Sequence, residues 1–177
     1  MTEACATIDP NGLLAKMGIK DTADLGAVAI AVIGIFNIIG TVSAGALGGR
    51  YPKRILLVAI YLARMVLFSW FILTPMTPLT VLIFSSLIGT LWLATVPLTS
   101  GLVAYIYGLR YMGTLYGLVF LSHQIGSFVG VWLGGDFYDR FGSYDVVWWV
   151  GIGTGFLSAL VHLPVRERPI HDRVVPA

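Results

Sequence analysis

Five long apolar runs constrain this chain more than any other feature of its sequence. They cover residues 25–47, 55–73, 79–107, 112–133 and 144–163. A helix needs about 20 mostly apolar residues to cross a bilayer, and each run is close to that length or longer. None of them alternates strictly between apolar and polar residues, which disfavours the strands of a membrane barrel. The sequence therefore predicts an all-α integral membrane protein with five transmembrane helices.

The composition agrees with burial in lipid. Of the 177 residues, 57% are hydrophobic and only 11% are charged, whereas soluble domains carry about 25% charged residues. The net charge is +2 and the basic residues lie in connectors rather than in a stripe, so no nucleic-acid partner is expected. The lone Cys5 excludes an internal disulfide and a multi-cysteine metal site.

Enzyme signatures are missing from the sequence. It contains no G-x-S-x-G, no H-E-x-x-H and no P-loop, and no Asp or Glu lies in the interior of the five runs. We therefore expect neither an enzyme nor a cofactor or metal site.

The distribution of basic residues between the connectors predicts the orientation. Because the number of spans is odd, the two termini lie on opposite sides of the membrane. One side receives seven basic side chains and the other three, and the richer side is expected to be cytoplasmic. This places residues 1–24 outside, the five-helix domain at 25–165, and a cytoplasmic tail at 166–177. The seven are Arg50, Lys53, Arg54, Arg110, Arg166, Arg168 and Arg173.

The connector at 45–54, "GALGGRYPKR", resembles the loop motif of the major facilitator superfamily, Gly-x-x-x-Asp-(Arg/Lys)-x-Gly-(Arg/Lys)-(Arg/Lys). It departs from that motif with Gly49 in place of the Asp and Pro52 in place of the second Gly. The charge contact that the Asp makes in the family is therefore not expected here. The matching residues, which we assign to a gating and topology loop, are Gly45, Arg50, Lys53 and Arg54.

A wider resemblance covers residues 25–167. The segments "GIFNIIGTVSAGALGGRYPKR", "WLATVPLTSGLVA" and "GLVFLSHQIGSFVGVWLGG" are similar to the C-terminal half of uncharacterised, monocarboxylate-porter-like bacterial transporters of this superfamily. The resemblance implies that the runs correspond to helices 8–12 of the family fold, in a bacterial inner membrane. Residues 1–24 would then be the remnant or the replacement of a seventh helix.

The resemblance also implies a function. Transporters of this kind bind their substrate between two halves of the fold, so the chain would be the C-terminal part of a secondary active transporter of a small solute, such as an organic anion. It would be inactive alone, as a truncated half that needs a missing N-terminal half-transporter or another copy of the chain. Two alternatives stay open: a non-transport assembly or regulatory subunit, and a small homo-oligomeric carrier.

Polar residues inside the runs are the candidates for the substrate path, because polar groups are unfavourable in hydrocarbon. In the third run, Trp92, Thr95 and Thr99 lie on one helical face beside Pro97. Pro97 lacks an N–H, so the carbonyl of Leu93 is expected to lose its helical partner and the helix to bend. The alternative is a purely structural kink, with hydroxyls bonded back to their own helix.

Three further positions are candidates in the other runs. His123 and Gln124 lie in the fourth run, near a ridge of small residues at Gly126 and Gly130. His123 would relay a proton or stay neutral within the bundle. Arg64 is the tenth residue of the second run, about 15 Å along it, and needs an anion, a carboxylate, a water-filled cavity or a helix-end carbonyl as its partner.

The last candidates lie in the first run and in the fourth connector. Asn37 either joins helices together or touches substrate. An ion pair in the outer loop is expected among Asp136, Asp139 and Arg140, and a structural role for it is preferred because exposed pairs stabilise little.

Overall fold

A computed structural model describes residues 22–170, and this part of the chain forms six helices. Five segments within it are long and apolar enough to cross a membrane, and the predicted all-α, five-span fold is confirmed. Residues 1–21 and 171–177, which hold most of the predicted N-terminal segment and half of the predicted tail, lie outside the described residues. The helices are α1 (Thr22–Gly48), α2 (Lys53–Leu73), α3 (Pro78–Trp92), α4 (Thr95–Tyr107), α5 (Met112–Phe141) and α6 (Asp145–His162).

The third span is made of two helices. It runs from Pro78 to Tyr107, but the helix is interrupted at Leu93 and Ala94, which separate α3 from α4. The span begins sharply because Thr77 caps it: its hydroxyl accepts a hydrogen bond from the Thr80 amide at 3.1 Å. Polar side chains of α1 and α2 contact this interruption.

The fourth span is longer than predicted. Helix α5 continues to Phe141, past the expected end at residue 133. The added turns carry an i,i+4 ion pair between Asp136 and Arg140, which suits a helix surface. The helix stops at Gly142, whose φ of 65° is accessible mainly to glycine.

Two helix pairs form the body of the molecule. Helix α1 packs along α3 and helix α2 packs along α6, while α4 touches both α1 and α2. The α1–α3 contact brings the two backbones together: a Cβ added at Gly40 would overlap the Thr90 carbonyl oxygen, and one at Gly89 would lie 2.7 Å from that of Ile33. Small residues at such a crossing let membrane helices approach closely.

A small buried cluster joins α1, α2 and α4. Leu57 and Leu98 are fully buried at its centre, with Ala44, Ala94 and Leu102 around them. Close packing of this kind fixes the start of α4 relative to α1 and α2, and so fixes where the interruption at Leu93 lies.

Helix α5 is different from the others because it buries none of its residues within the described part of the chain. Its contacts there are slight and are made with α4 and α6. The ridge that was expected to pack, at Gly126 and Gly130, has no atom within 4 Å of an added Cβ.

Candidate functional site

The interruption between α3 and α4 lies one turn before Pro97, at the residue whose carbonyl Pro97 was expected to deprive of its helical partner. The Leu93 carbonyl is not left unpaired: it accepts a hydrogen bond from the Val96 amide at 3.0 Å. This is a tight i→i+3 turn of the 3₁₀ type. The carbonyls that lose their helical partners are those of Leu91 and Trp92, in the last turn of α3.

Arg64 supplies the partners of these two carbonyls. From α2, its Nη2 donates to the carbonyl oxygens of both Leu91 and Trp92. A cation is well placed there, because the end of a helix carries partial negative charge. Of the partners that the sequence allowed for this guanidinium, the structure shows the helix-end carbonyls.

Asn37 contacts the interruption from α1. Its Oδ1 accepts a hydrogen bond from the Leu93 amide at 3.0 Å. Asn37 and Arg64 therefore contact the same interruption from two different helices. Asn37 accepts a hydrogen bond from its amide, and Arg64 donates to its two carbonyls. We call Asn37, Arg64 and residues 91–94 the interruption clamp.

Three predicted residues lie at or just after the interruption. Trp92 is the last residue of α3 and belongs to the clamp, whereas Thr95 and Thr99 lie in α4. The Trp92 side chain is 55% exposed, and it lines a cavity of about 260 Å³ between α2, α3 and α6 together with Arg64. Thr95 and Thr99 are half-buried. Within residues 23–170 neither hydroxyl is bonded back to its own helix, in contrast to Thr90, which donates to the Ser86 carbonyl at 2.9 Å.

His123 and Gln124 lie on helix α5, which buries none of its residues within the described part of the chain. Both side chains are exposed, and His123 stacks on Phe120 with ring centroids 6.1 Å apart. Their neighbour Ser122 donates to the Val119 carbonyl at 2.7 Å. For the described residues, no hydrogen bond involves the side chain of His123 or Gln124.

The connector motif contacts the segment that follows α6. We call residues 48–54 and 163–168 together the basic end. Glu167 accepts hydrogen bonds from the backbone amides of Lys53 and Arg54, at 3.2 and 3.4 Å, and its carboxylate lies 3.6 Å from Lys53 Nζ. The Arg54 guanidinium donates to the carbonyls of Leu163 and Val165. Sequence reasoning gave Glu167 no role, although it is an isolated carboxylate between two arginines in the segment "RER".

The remaining predicted residues make fewer polar contacts with other helices. Gly45 has no atom near an added Cβ, and Arg50 is exposed. Asp136 pairs with Arg140 at 2.9 Å, but this pair lies within the last turns of α5 and not in a loop. Asp139 is exposed beside it. Across the described residues, no group of three His, Cys, Asp or Glu side chains comes together as a metal site.

These features define a polytopic α-helical membrane protein, with one broken span held by polar side chains from two neighbours. A model of the Major Facilitator Superfamily matches residues 13–176, and the chain belongs to this family of membrane transporters. This agrees with the expectation that it is not an enzyme.

One curated relative is an uncharacterised MFS-type transporter, YcxA, from Bacillus subtilis (strain 168). It is 29% identical over 139 residues, which are 76% of this chain but 34% of that protein. The chain therefore spans about a third of the length of the relative that it matches. No solved structure matches it.

Proposed function

We propose that this chain forms the C-terminal part of a secondary transporter that moves a small organic anion by alternating access. In this proposal the N-terminal segment is outside and the tail is cytoplasmic, in a bacterial inner membrane. Membership of the family supports transport, and the length relative to YcxA supports a part of a larger assembly. The solute would pass along the broken third span, where the hydroxyls of Thr95 and Thr99 have no bond to their own helix.

Three consecutive polar residues of α5 are the observation from which we infer a partner. Ser122, His123 and Gln124 lie about 15 Å from the start of this spanning helix, at 1.5 Å per residue. All three are exposed. Polar side chains at that depth are unfavourable against lipid and normally face protein or a water-filled cavity. We infer that further helices cover this face of α5 and that the substrate path lies between them and the described helices.

A complementation experiment tests the proposal. The chain is co-expressed with the part of YcxA that lies outside the matched third, and inverted vesicles are assayed for uptake of a panel of labelled monocarboxylates. We expect uptake when both parts are present and none with either part alone. A matched pair of variants, Thr99→Val and Thr114→Val, distinguishes the path from the rest of the surface, and only the first is expected to lower uptake.

The other outcomes separate the alternatives. Uptake by this chain alone would indicate a homo-oligomeric carrier, with a second copy covering α5. Stable association of the two parts without uptake of any solute would favour an assembly or regulatory subunit and contradict the transport proposal.

A further inference from the structure

A groove at the basic end collects more positive charge than the chain neutralises. Its volume is about 790 Å³. Five basic side chains and one carboxylate line it, which leaves an excess of four positive charges. The charged lining residues are Arg50, Lys53, Arg54, Arg166, Glu167 and Arg168.

Two of these basic residues already have partners. Lys53 faces Glu167, and the Arg54 guanidinium donates to the backbone carbonyls at the end of α6. Glu167 also occupies the first amides of α2, so the N-terminus of this helix is closed to a ligand. The contacts of Lys53, Arg54 and Glu167 hold the two walls of the groove together.

The other three basic side chains of the groove are free to bind a ligand. Arg50, Arg166 and Arg168 are exposed, and among residues 23–170 no carboxylate lies within 4 Å of their guanidinium groups. Three guanidinium groups on one groove repel one another, so an anion between them is stabilised. Arginine is suited to phosphate because its planar fork donates two parallel hydrogen bonds.

The position of the groove indicates where the anion comes from. It lies where α2 begins and α6 ends, at the boundary between the spans and water, and Tyr51 and Tyr105 are exposed on its rim. Tyrosines concentrate at the headgroup level of membranes, and basic pockets at helix ends bind anionic headgroups.

We propose that this groove binds a phosphate-bearing anion, supplied either by the headgroup of an anionic phospholipid or by a soluble phosphate ester. The site is distinct from the substrate path and does not depend on the proposed transport. It also does not depend on which side of the membrane the groove faces.

Native mass spectrometry of the full chain in detergent tests the proposal. The probes are phosphatidylglycerol and phosphatidylcholine with identical acyl chains, glycerol 3-phosphate and inorganic phosphate. We expect phosphatidylglycerol to bind at least tenfold more tightly than phosphatidylcholine. Each lost arginine should weaken it about fivefold, and the triple variant Arg50→Gln/Arg166→Gln/Arg168→Gln about a hundredfold.

Controls address net charge and folding. Arg110→Gln removes the same charge from a connector outside the groove and should leave binding within twofold of the wild type, whereas Arg50→Gln should not. Helical content measured by circular dichroism checks each variant, and the single variants carry the test if the triple variant misfolds. The three variants leave Lys53, Arg54 and Glu167 unchanged, so the contacts between the groove walls are kept.

The soluble probes distinguish the two sources of phosphate. Saturable binding of glycerol 3-phosphate, weakened in Arg50→Gln, would assign a soluble ester, and binding of phosphatidylglycerol alone would assign a lipid headgroup. The proposal is overturned if the triple variant keeps its full preference for phosphatidylglycerol, if Arg110→Gln weakens binding as much as Arg50→Gln, or if no probe binds.

Discussion

Arg64 shows how a single charged residue can be retained in the middle of an apolar helix. Its guanidinium donates hydrogen bonds to the carbonyls of Leu91 and Trp92 at the end of α3. Asn37 completes the arrangement by accepting from the Leu93 amide. The two residues are coupled through the break, although they come from different helices.

Replacing Arg64 tests whether this contact stabilises the bundle. Arg64→Met keeps much of the volume but leaves two backbone carbonyls without donors, and an unsatisfied buried acceptor costs about 1–3 kcal/mol. We expect the free energy of unfolding to fall by about that amount. The measurement is equilibrium unfolding by SDS in mixed micelles, followed by circular dichroism.

Arg110→Met is the matched control for this substitution. Arg110 lies in an exposed connector and contacts only the Tyr111 ring within the described residues, so its loss should change the unfolding free energy by less than about 0.5 kcal/mol. Equal effects of the two substitutions would show that Arg64 contributes only its charge and that the clamp does not stabilise the bundle.

At the scale of the helices, the contact between α1 and α3 depends on glycine. We predict that Gly40→Ala and Gly89→Ala each destabilise the bundle by about 1–3 kcal/mol, because the added methyl group overlaps the backbone of the facing helix. Gly34→Ala is the control on the helix that carries Gly40, since no atom of the described residues lies within 4 Å of a Cβ at that position. It should be neutral or slightly stabilising, because alanine is the better helix former.

Thermal unfolding of the three variants in one detergent gives the comparison. If Gly40→Ala and Gly34→Ala had the same midpoint, the two helices would not approach as closely as the structure shows.

The elements were largely predictable from sequence, and their contacts were not. Runs of about 20 apolar residues have few alternatives to spanning helices, so the five spans follow from the sequence. Because Pro97 lacks an N–H, the sequence predicted a disturbance at Leu93, one turn earlier, and the helix is interrupted at Leu93 and Ala94. The donors and acceptors that Arg64 and Asn37 bring to it from other helices could not be predicted. The end of α5 was placed too early because Asp136 and Arg140 were interpreted as loop residues rather than as a helical i,i+4 pair.

The role of Glu167 was missed for a similar reason. It lies more than 100 positions from Lys53 and Arg54, and only packing of α2 against α6 brings them together. The signal in the sequence was a single carboxylate in a basic segment, which has no fixed structural meaning without its neighbours.

For the whole molecule, the orientation that the distribution of basic residues predicts is directly measurable. In a Cys5→Ser background, we predict that Tyr51→Cys is protected from a membrane-impermeant maleimide in intact cells and that Met76→Cys is labelled. Both side chains are exposed, at 57% and 68%, so accessibility within the protein does not distinguish them. Labelling of both variants after permeabilisation is the control. The opposite pattern in intact cells would reverse the predicted orientation.

The uncovered face of α5 leads to the last prediction, which concerns assembly. If further helices cover this face, Gly130→Leu should place a large side chain in their path and weaken association with the part of YcxA that lies outside the matched third. It should not destabilise this chain alone, because nothing described lies within 4 Å of a Cβ at Gly130. The control is Leu121→Phe, at a position that is 56% exposed and lies on the opposite side of the helix, about 180° from Gly130. Co-purification through a tag on one part measures association, and thermal unfolding of the chain alone measures stability. Equal co-purification of both variants and the wild type would place the interface on another face and remove the support that α5 gives to the proposed assembly.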